Sequence, residues 1–302
     1  MLRGPASEYH ANPDFAGHAR RVYLLGMESE RRDPAGRHPV MFEHVSFHYE
    51  DEEPGAGMDI FTDLTLELPD GVTSLVGQNG CGKSTFLLLA AGALLPTAGK
   101  VRLRGEDTAD LRDEEERHRI ASIVYQNLEF ETEKPIGELL HDVQARGFLE
   151  SKSSDFVREL IDVFELAPFL GRRTQEVSKG ELQRTILAFS LLYGSPILFM
   201  DEPIFALEDH QKERVMRYLC NHVRTNRQCL LYSLHELDLS ERYSDFLLLF
   251  SPGARPRLGK TGDMFTRERI EQAYQVPFVM LRRKEEVFRR RLLEADQARR
   301  RQ

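Results

Sequence analysis

The sequence predicts an α/β fold with a mainly parallel sheet. Three strongly apolar runs, at residues 72–76, 230–234 and 246–250, are typical of parallel strands that are covered on both faces. Segments with helical periodicity lie between such runs, most clearly at 180–193 and 209–223. Because strands and helices alternate in this way, we expect a three-layer core in which helices cover both faces of the sheet.

An antiparallel β subdomain is predicted beside this core. Residues 40–49 and 64–68 alternate between apolar and polar side chains, as strands with one buried face do. A third strand is predicted at 99–105. We therefore expect a few antiparallel strands to flank the glycine-rich run at 77–85.

A helical subdomain is predicted at about 130–180. Between residues 135 and 174 the apolar side chains recur at helical spacing. Apolar strands are predicted on either side of this segment, at 120–125 and 196–202. The helices are therefore expected as an insertion between two strands of the core.

Composition excludes several classes of protein. The 302 residues carry a formal net charge of −8, which argues against a nucleic-acid partner. The three cysteines have neither disulfide nor zinc-ligand spacing, which favours a reducing compartment. No run approaches the roughly 18 apolar residues of a membrane span, and no signal-peptide core follows Met1. We therefore expect a soluble, cytoplasmic chain.

The two ends of the chain differ in composition from the middle. Residues 1–38 are polar and rich in Arg, Pro and Gly, which predicts a flexible basic extension. Residues 282–302 form a second basic segment. A solvated surface helix with a frayed end is the simpler interpretation of this tail, and contact with acidic lipid or a protein partner is the alternative.

The most specific motif is the run 77–85, which matches the phosphate-loop pattern G-x-x-x-x-G-K-[ST] between a predicted strand and a predicted helix. Glycines let backbone N–H groups turn inward around phosphate oxygens, and the helix N-terminus favours an anion. Lys83 would reach the β- and γ-phosphates, and the Ser84 hydroxyl would ligate Mg²⁺. An ordinary glycine-rich turn is the alternative. The predicted nucleotide-binding residues here are Gly77, Gln78, Asn79, Gly80, Cys81, Gly82, Lys83, Ser84 and Thr85.

Polar residues follow three other predicted strands. They are Gln126, the pair Asp201 and Glu202, and His235. Open α/β sheets bind ligands at the carboxyl ends of their strands, so these side chains are expected near the phosphate loop. Asp201 is predicted to orient Mg²⁺, and Glu202 to act as the general base on the attacking water. A helix cap is the alternative for such a pair, but the upstream phosphate loop favours catalysis.

In their order and approximate spacing, these motifs closely resemble the nucleotide-binding subunits of ABC transporters. The resemblance rests on 77–85, Gln126, 177–181, 198–202 and His235, and it covers about residues 40–281. It implies an ABC-type P-loop NTPase core at 39–281 that binds ATP and Mg²⁺ and hydrolyses ATP. It also implies roles for three single residues. Tyr49 would stack on adenine, Gln126 would ligate Mg²⁺ and sense the γ-phosphate, and His235 would hold the γ-phosphate and the attacking water.

The family's signature segment is altered in this chain. Where the family usually has Leu-Ser-Gly-Gly-Gln, residues 177–181 are Val-Ser-Lys-Gly-Glu. By resemblance, Ser178 and Gly180 reach the γ-phosphate that the opposite subunit binds, and Glu181 replaces Gln as it does in some importers. Lys179 lies at a helix start, where added positive potential suits an anion, so we expect it to be tolerated.

A second departure follows the predicted carboxylates. The family-typical Ser-Ala-Leu-Asp is replaced by residues 205–208, Phe-Ala-Leu-Glu, in a segment that normally crosses the dimer seam. We expect this change to affect the coupling between the two ATP sites. Further along, residues 262–277 resemble the C-terminal end of iron-chelate and cobalamin importer ATPases.

The resemblance implies a transport motor. Two copies, most simply a homodimer, would sandwich two ATP molecules and move transmembrane permease subunits that dock on the helical subdomain. A substrate-binding protein can complete such an importer, and import of a metal chelate or cofactor is favoured. The ATPase would then be peripheral on the cytoplasmic face of the membrane. The alternative is a soluble regulatory ABC-type ATPase without a membrane partner.

Overall fold

The computed structural model describes residues 38–49, 59–111, 113–149 and 152–281. Except for His38, the basic N-terminal extension predicted at 1–38 lies outside these ranges, as does the basic tail predicted at 282–302. The domain boundaries assigned to those two segments therefore remain predictions.

Strands and helices alternate along most of the described chain. The strands are β1 (Val40–His48), β2 (Asp59–Leu68), β3 (Gly71–Val76), β4 (Ala98–Leu103), β5 (Glu106–Asp107), β6 (Ala121–Val124), β7 (Ile197–Asp201), β8 (Cys229–Ser233), β9 (Phe246–Leu249) and β10 (Arg257–Lys260). The α-helices are α1 (Lys83–Ala90), α2 (Glu114–Ile120), α3 (Ile136–Arg146), α4 (Ser154–Val163), α5 (Lys179–Tyr193), α6 (Asp209–Thr225), α7 (Leu237–Tyr243), α8 (Thr261–Met264) and α9 (Arg267–Tyr274).

The larger sheet has the strand order β10-β9-β3-β8-β7-β6. Its strands are parallel except for β10, which pairs antiparallel with β9 at the edge. The register places Ser233 of β8 between Leu75 of β3 and Asp201 of β7. Because parallel strands end at the same edge, the residues that follow β3, β7 and β8 all emerge on one side of the sheet.

The smaller sheet is antiparallel, with the strand order β2-β1-β4-β5. Its buried side chains pack on α1: the ring of Phe42 stacks on Phe86 at 4.5 Å between centroids. Phe61 of β2 and Phe250 at the end of β9 meet the same Phe86 ring edge-on. The two sheets thus hold α1 between them, which fixes the helix start that follows the phosphate loop.

The chain between β6 and β7 is helical. Helices α3 and α4 bury Leu140 and Leu160 in the same apolar cluster as Leu191 of α5. The end of α3 lies close to the end of α5, since a Cβ at Gly147 would be 2.6 Å from the carbonyl oxygen of Tyr193. Within the described ranges, no helix has both the length and the apolar character of a membrane span.

The predicted fold class is confirmed: the structure is α/β, with a mainly parallel sheet and a separate antiparallel one. Two details differ from the sequence-based expectation. Strand β2 begins at Asp59, five residues before the predicted start at Leu64. The prediction missed this part because two consecutive exposed polar residues, Thr62 and Asp63, interrupt the alternation of apolar and polar side chains. Strands β5 and β10 and the short helices α7, α8 and α9 were not predicted as elements.

Candidate nucleotide-binding site

The phosphate-loop motif follows β3 and runs into the first turn of α1, which begins at Lys83. Gly80 and Gly82 have φ angles of 77° and 95°, in the left-handed region that glycine adopts without strain. A Cβ at Gly77 would be 2.5 Å from the carbonyl oxygen of Phe250, so only glycine fits there. Asn79 and Gly80 form the exposed tip of the loop. The glycines are therefore required by the shape of this turn.

Lys83 lies folded over the phosphate loop. Its side chain is buried, and its Nζ donates to the carbonyl oxygens of Gly77 at 2.8 Å and Gln78 at 2.7 Å. The amide of Gln78 donates in turn to the carbonyl oxygen of Tyr274, which anchors the loop to the end of α9. These bonds hold a cation inside the loop, where an anionic group would meet it.

Two predicted site residues, Gln126 and His235, converge on the carboxylate of a third, Glu202. The Nε2 of Gln126 donates to Oε2 of Glu202 at 2.8 Å, and the Nε2 of His235 lies 2.6 Å from Oε1 of the same side chain. The Glu202 side chain is 12% exposed and that of His235 is 39% exposed. The sheet therefore brings together residues that are far apart in sequence, at the edge from which the phosphate loop also emerges.

Ser233 also belongs to this site, although the sequence analysis did not select it. Its buried hydroxyl donates to Oδ1 of Asp201 and accepts the backbone N–H of Glu202 at 3.0 Å. Glu202 has a φ of 48°, so its backbone is held in the left-handed region beside this contact. A signal was present in the sequence: a hydroxyl inside an apolar strand needs a hydrogen-bond partner.

Tyr49 lies beside the phosphate loop. Its hydroxyl is 3.0 Å from Oγ1 of Thr85, and its ring meets Phe47 edge-on at 5.0 Å. The Tyr49 side chain is nevertheless 46% exposed. Such a ring can present a face to a planar ligand. Stacking on adenine remains a prediction for this residue.

The altered signature segment forms the start of α5. Ser178 and Glu181 make a reciprocal capping box: the N–H of Glu181 donates to Ser178 Oγ at 3.3 Å, and the N–H of Ser178 donates to Glu181 Oε2 at 2.8 Å. The hydrogen bond from the Ser178 backbone lowers the pKa of the Glu181 carboxyl. Lys179 is exposed and pairs with Glu129 at 3.0 Å, which offsets part of its positive charge.

The start of α5 packs on the segment that follows Glu202. A Cβ at Gly180 would be 2.8 Å from the carbonyl oxygen of Ala206, and the amide of Gln183 donates to the carbonyl oxygen of Pro203 at 2.8 Å. No hydrogen bond within the described ranges joins residues 178–181 to the phosphate loop. The predicted in-trans residues are thus not brought to the loop of their own chain.

Comparison with known proteins now identifies the family. The model of the ABC transporter family matches residues 61–205. A protein of Archaeoglobus fulgidus, named among ABC transporter ATP-binding proteins, is 32% identical over 209 residues, covering 68% of this chain and 84% of that protein. The chain belongs to the ABC transporter family.

A further relative and a solved structure are also similar to the chain. A cobalamin import ATP-binding protein of Halobacterium salinarum is 29% identical over 222 residues, which are 72% of this chain and 56% of that protein. The chain therefore spans about half the length of this curated relative. A dimeric ATP-binding cassette in a post-hydrolysis state, bound to ADP and Pi, has a TM-score of 0.63 at 22% identity. The alignment covers 74% of this chain and 98% of that one, and it supports the same fold.

The donor atoms at the site fit an ABC-type nucleotide and its metal ion. A phosphate needs N–H groups and a cation, which the loop glycines and the buried Lys83 supply. Mg²⁺ prefers oxygen ligands, and the predicted set of Ser84, Gln126 and Asp201 offers a hydroxyl, an amide and a carboxylate. The Ser84 side chain is exposed at the first turn of α1. This set remains a prediction, because no contact in the structure joins the three residues to one another.

Proposed function

We propose that the chain binds ATP with Mg²⁺ and hydrolyses ATP as the ATP-binding subunit of an ABC importer. The observation that carries the proposal is the convergence of Gln126 and His235 on the Glu202 carboxylate at the sheet edge from which the phosphate loop emerges. A carboxylate held by two side chains has a fixed orientation, which a general base needs.

Different residues of the chain would have different roles in ATP hydrolysis. Lys83 exchanges its two carbonyl contacts for phosphate oxygens when the nucleotide enters the loop. Glu202 accepts a proton from the attacking water, and its bonds to Gln126 and His235 aim the carboxylate. By the family resemblance, His235 would also donate a hydrogen bond to the γ-phosphate. Bound Mg²⁺ would neutralise charge on the phosphates, held by Ser84, Gln126 and Asp201.

A second subunit, most simply another copy of this chain, would complete each site. Ser178, Gly180 and Glu181 are predicted to contact ATP, but they make no hydrogen bond to the phosphate loop of their own chain within the described ranges. Ser178 is exposed at a helix start, where its hydroxyl and nearby N–H groups suit an anion from outside. The family's dimeric arrangement would bring it that anion.

ATP hydrolysis would be coupled to import through a membrane. The relative named for cobalamin import supports a metal chelate or cofactor as the cargo. Permease subunits would dock on the helices between β6 and β7, which places the chain on the cytoplasmic face of a membrane. A substrate-binding protein would deliver the cargo from the other side.

Hydrolysis is tested by replacing Glu202 with Gln. We expect turnover to fall by about 10²–10⁴-fold while ATP binding persists, because the general base is lost and the phosphate loop is unchanged. ATPase assays and nucleotide binding on the purified chain measure the two effects. Glu116→Gln, on the exposed face of α2, is the matched control and should match the unmodified chain. Equal turnover in Glu202→Gln and the unmodified chain would contradict the assignment.

Transport coupling is tested by a pull-down of the tagged chain from detergent-solubilised membranes. A stoichiometric polytopic membrane protein that changes ATP turnover supports the importer. A chain that elutes without a membrane partner and dimerises with ATP contradicts transport, and would favour a regulatory ATPase.

A further inference from the structure

A buried lysine lies next to the proposed catalytic residues. Lys212, in the first turn of α6, is 7% exposed. Its Nζ is 2.5 Å from Oε1 of Glu236 and 3.9 Å from Oδ1 of Asp209. A buried ammonium group is costly unless it is paired, so the bond to Glu236 constrains both side chains.

The partner of Lys212 is the immediate neighbour of His235. Glu236 caps the start of α7, and its side chain is 29% exposed. His235, one residue earlier, lies 2.6 Å from Glu202 through its Nε2. Fixing the Glu236 side chain therefore fixes the backbone from which the His235 ring extends.

Backbone segments and side-chain contacts together form a closed path that starts and ends at Glu202. The chain leaves Glu202, passes through residues 203–208 and enters α6, where Lys212 reaches across to Glu236. From Glu236 the path returns through His235 to the Glu202 carboxylate. This path links the segment that carries the altered Phe205–Glu208 sequence to His235.

We infer that Lys212, acting through Glu236, is a positioning residue that holds His235 against Glu202. The inference rests on the proposed ATP hydrolysis for its effect on turnover, but not for the contact itself. A small misplacement of a reacting group is enough to slow a reaction strongly. Lys212 pairs with Glu236 and Asp209, neither of which is assigned a reacting group, and an arginine at this position could keep the bond to Glu236.

Steady-state ATPase kinetics of two variants test the role in turnover. Lys212→Met should lower kcat by about 10- to 100-fold with a KM for ATP within about twofold, because the loop that binds ATP is untouched. Lys212→Arg should recover most of kcat. The control is Lys100→Met, which breaks another ion pair to a buried carboxylate, that of Asp107 at 3.0 Å, in the antiparallel sheet. It should leave kcat unchanged. Equal kcat in Lys212→Met and Lys100→Met overturns the inference.

A second pair of measurements separates positioning from folding and from the proposed function. The double variant Lys212→Met/Glu236→Leu removes both charges, so it should fold as well as the unmodified chain and still have the low kcat. Recovery of kcat in the double variant overturns the inference.

Isotope-labelled histidine spectra report the His235 ring without turnover, with His235→Gln assigning its signals. Lys212→Met should shift those signals and Lys100→Met should not. If they do not move, the inference fails; if no variant or unmodified chain hydrolyses ATP, the proposed function fails separately.

Discussion

Ser233 shows what a single buried hydroxyl contributes to this site. It bonds to the Asp201 carboxylate and to the backbone of Glu202 at the same time. It therefore orients a predicted Mg²⁺ ligand and holds the left-handed backbone of the proposed general base. Loss of a partner that orients a metal ligand typically costs about 10- to 100-fold in metal affinity or activity.

Replacing Ser233 with Ala should weaken both functions of the site. We expect the apparent affinity for Mg²⁺ or the turnover of ATP to fall by about 10- to 100-fold, because Asp201 loses its orienting donor. Mg²⁺ titrations of ATPase activity measure the effect. Ser190→Ala is the matched control, since it removes another buried hydroxyl, bonded to the Leu187 carbonyl oxygen at 2.8 Å within α5. Identical titrations for the two variants would contradict the role of Ser233.

At the level of residues, motifs with fixed spacing were predictable and isolated partners were not. The phosphate loop was recognisable because its glycines and Lys83 perform one task within one short run. Glu202 and His235 were found because they follow apolar strands. Lys212 had no such signal: one lysine on a helix is ordinary, and its partner is 24 positions away.

The contact between helix α5 and the segment after β7 leaves no room for a side chain at Gly180. Helix α5 approaches the segment after β7 so closely there that a Cβ would be 2.8 Å from a backbone oxygen. Backbone cannot give way as a flexible side chain can. The start of α5 and the path of residues 203–208 are therefore set together.

Gly180→Ala should destabilise the protein despite the higher helix propensity of alanine. We expect a loss of about 1–3 kcal/mol in the free energy of unfolding, because overpacking outweighs a propensity gain of about 0.5–1 kcal/mol. Urea denaturation measures it. Gly171→Ala is the control, since nothing lies within 4 Å of a Cβ at that position. If Gly180→Ala is as stable as this control, the close approach is wrong.

Long elements and strongly apolar ones were predictable, and the short polar helices were not. Helices α5 and α6 have 15 and 17 residues, enough to express a helical period and a capped start. Helices α7, α8 and α9 have seven, four and eight residues, too few for a period to be distinguished. Their positions are set by tertiary contacts, such as the packing of Ile270 beneath β9.

The strand order of the whole molecule is not written in any local pattern. Strand β3 lies between β9 and β8, which come from the far end of the described chain. Apolar runs predict that strands are central but not which strands are neighbours. The sequence patterns therefore predicted the fold class but no strand order, whereas the general rule for strand ends predicted that Gln126, Glu202 and His235 lie at the same edge of the sheet.

Two partly buried histidines make the stability of the whole protein depend on pH. Burial lowers the pKa of His118, which meets Tyr193 edge-on; nearby Glu114 opposes the shift and Arg117 adds to it. Burial also lowers the pKa of His222, which stacks on Phe156 at 5.3 Å, and here Glu159 opposes the shift. In both cases the folded protein binds a proton less readily than the unfolded chain.

The free energy of unfolding should therefore fall as the pH is lowered from 7 through the ordinary histidine pKa of 6.5. Each histidine adds at most about 1.4 kcal/mol per pH unit to the slope of the free energy of unfolding against pH. This contribution acts between the ordinary pKa of the unfolded chain and the lower pKa of the folded protein. Phenylalanine keeps the ring contacts but binds no proton, so His118→Phe/His222→Phe should lose less stability between pH 7 and pH 5 than the unmodified chain. Urea denaturation at a series of pH values measures the difference, with the exposed His141→Gln as control. Parallel curves for the double variant and the unmodified chain would mean that other groups cause the acid sensitivity.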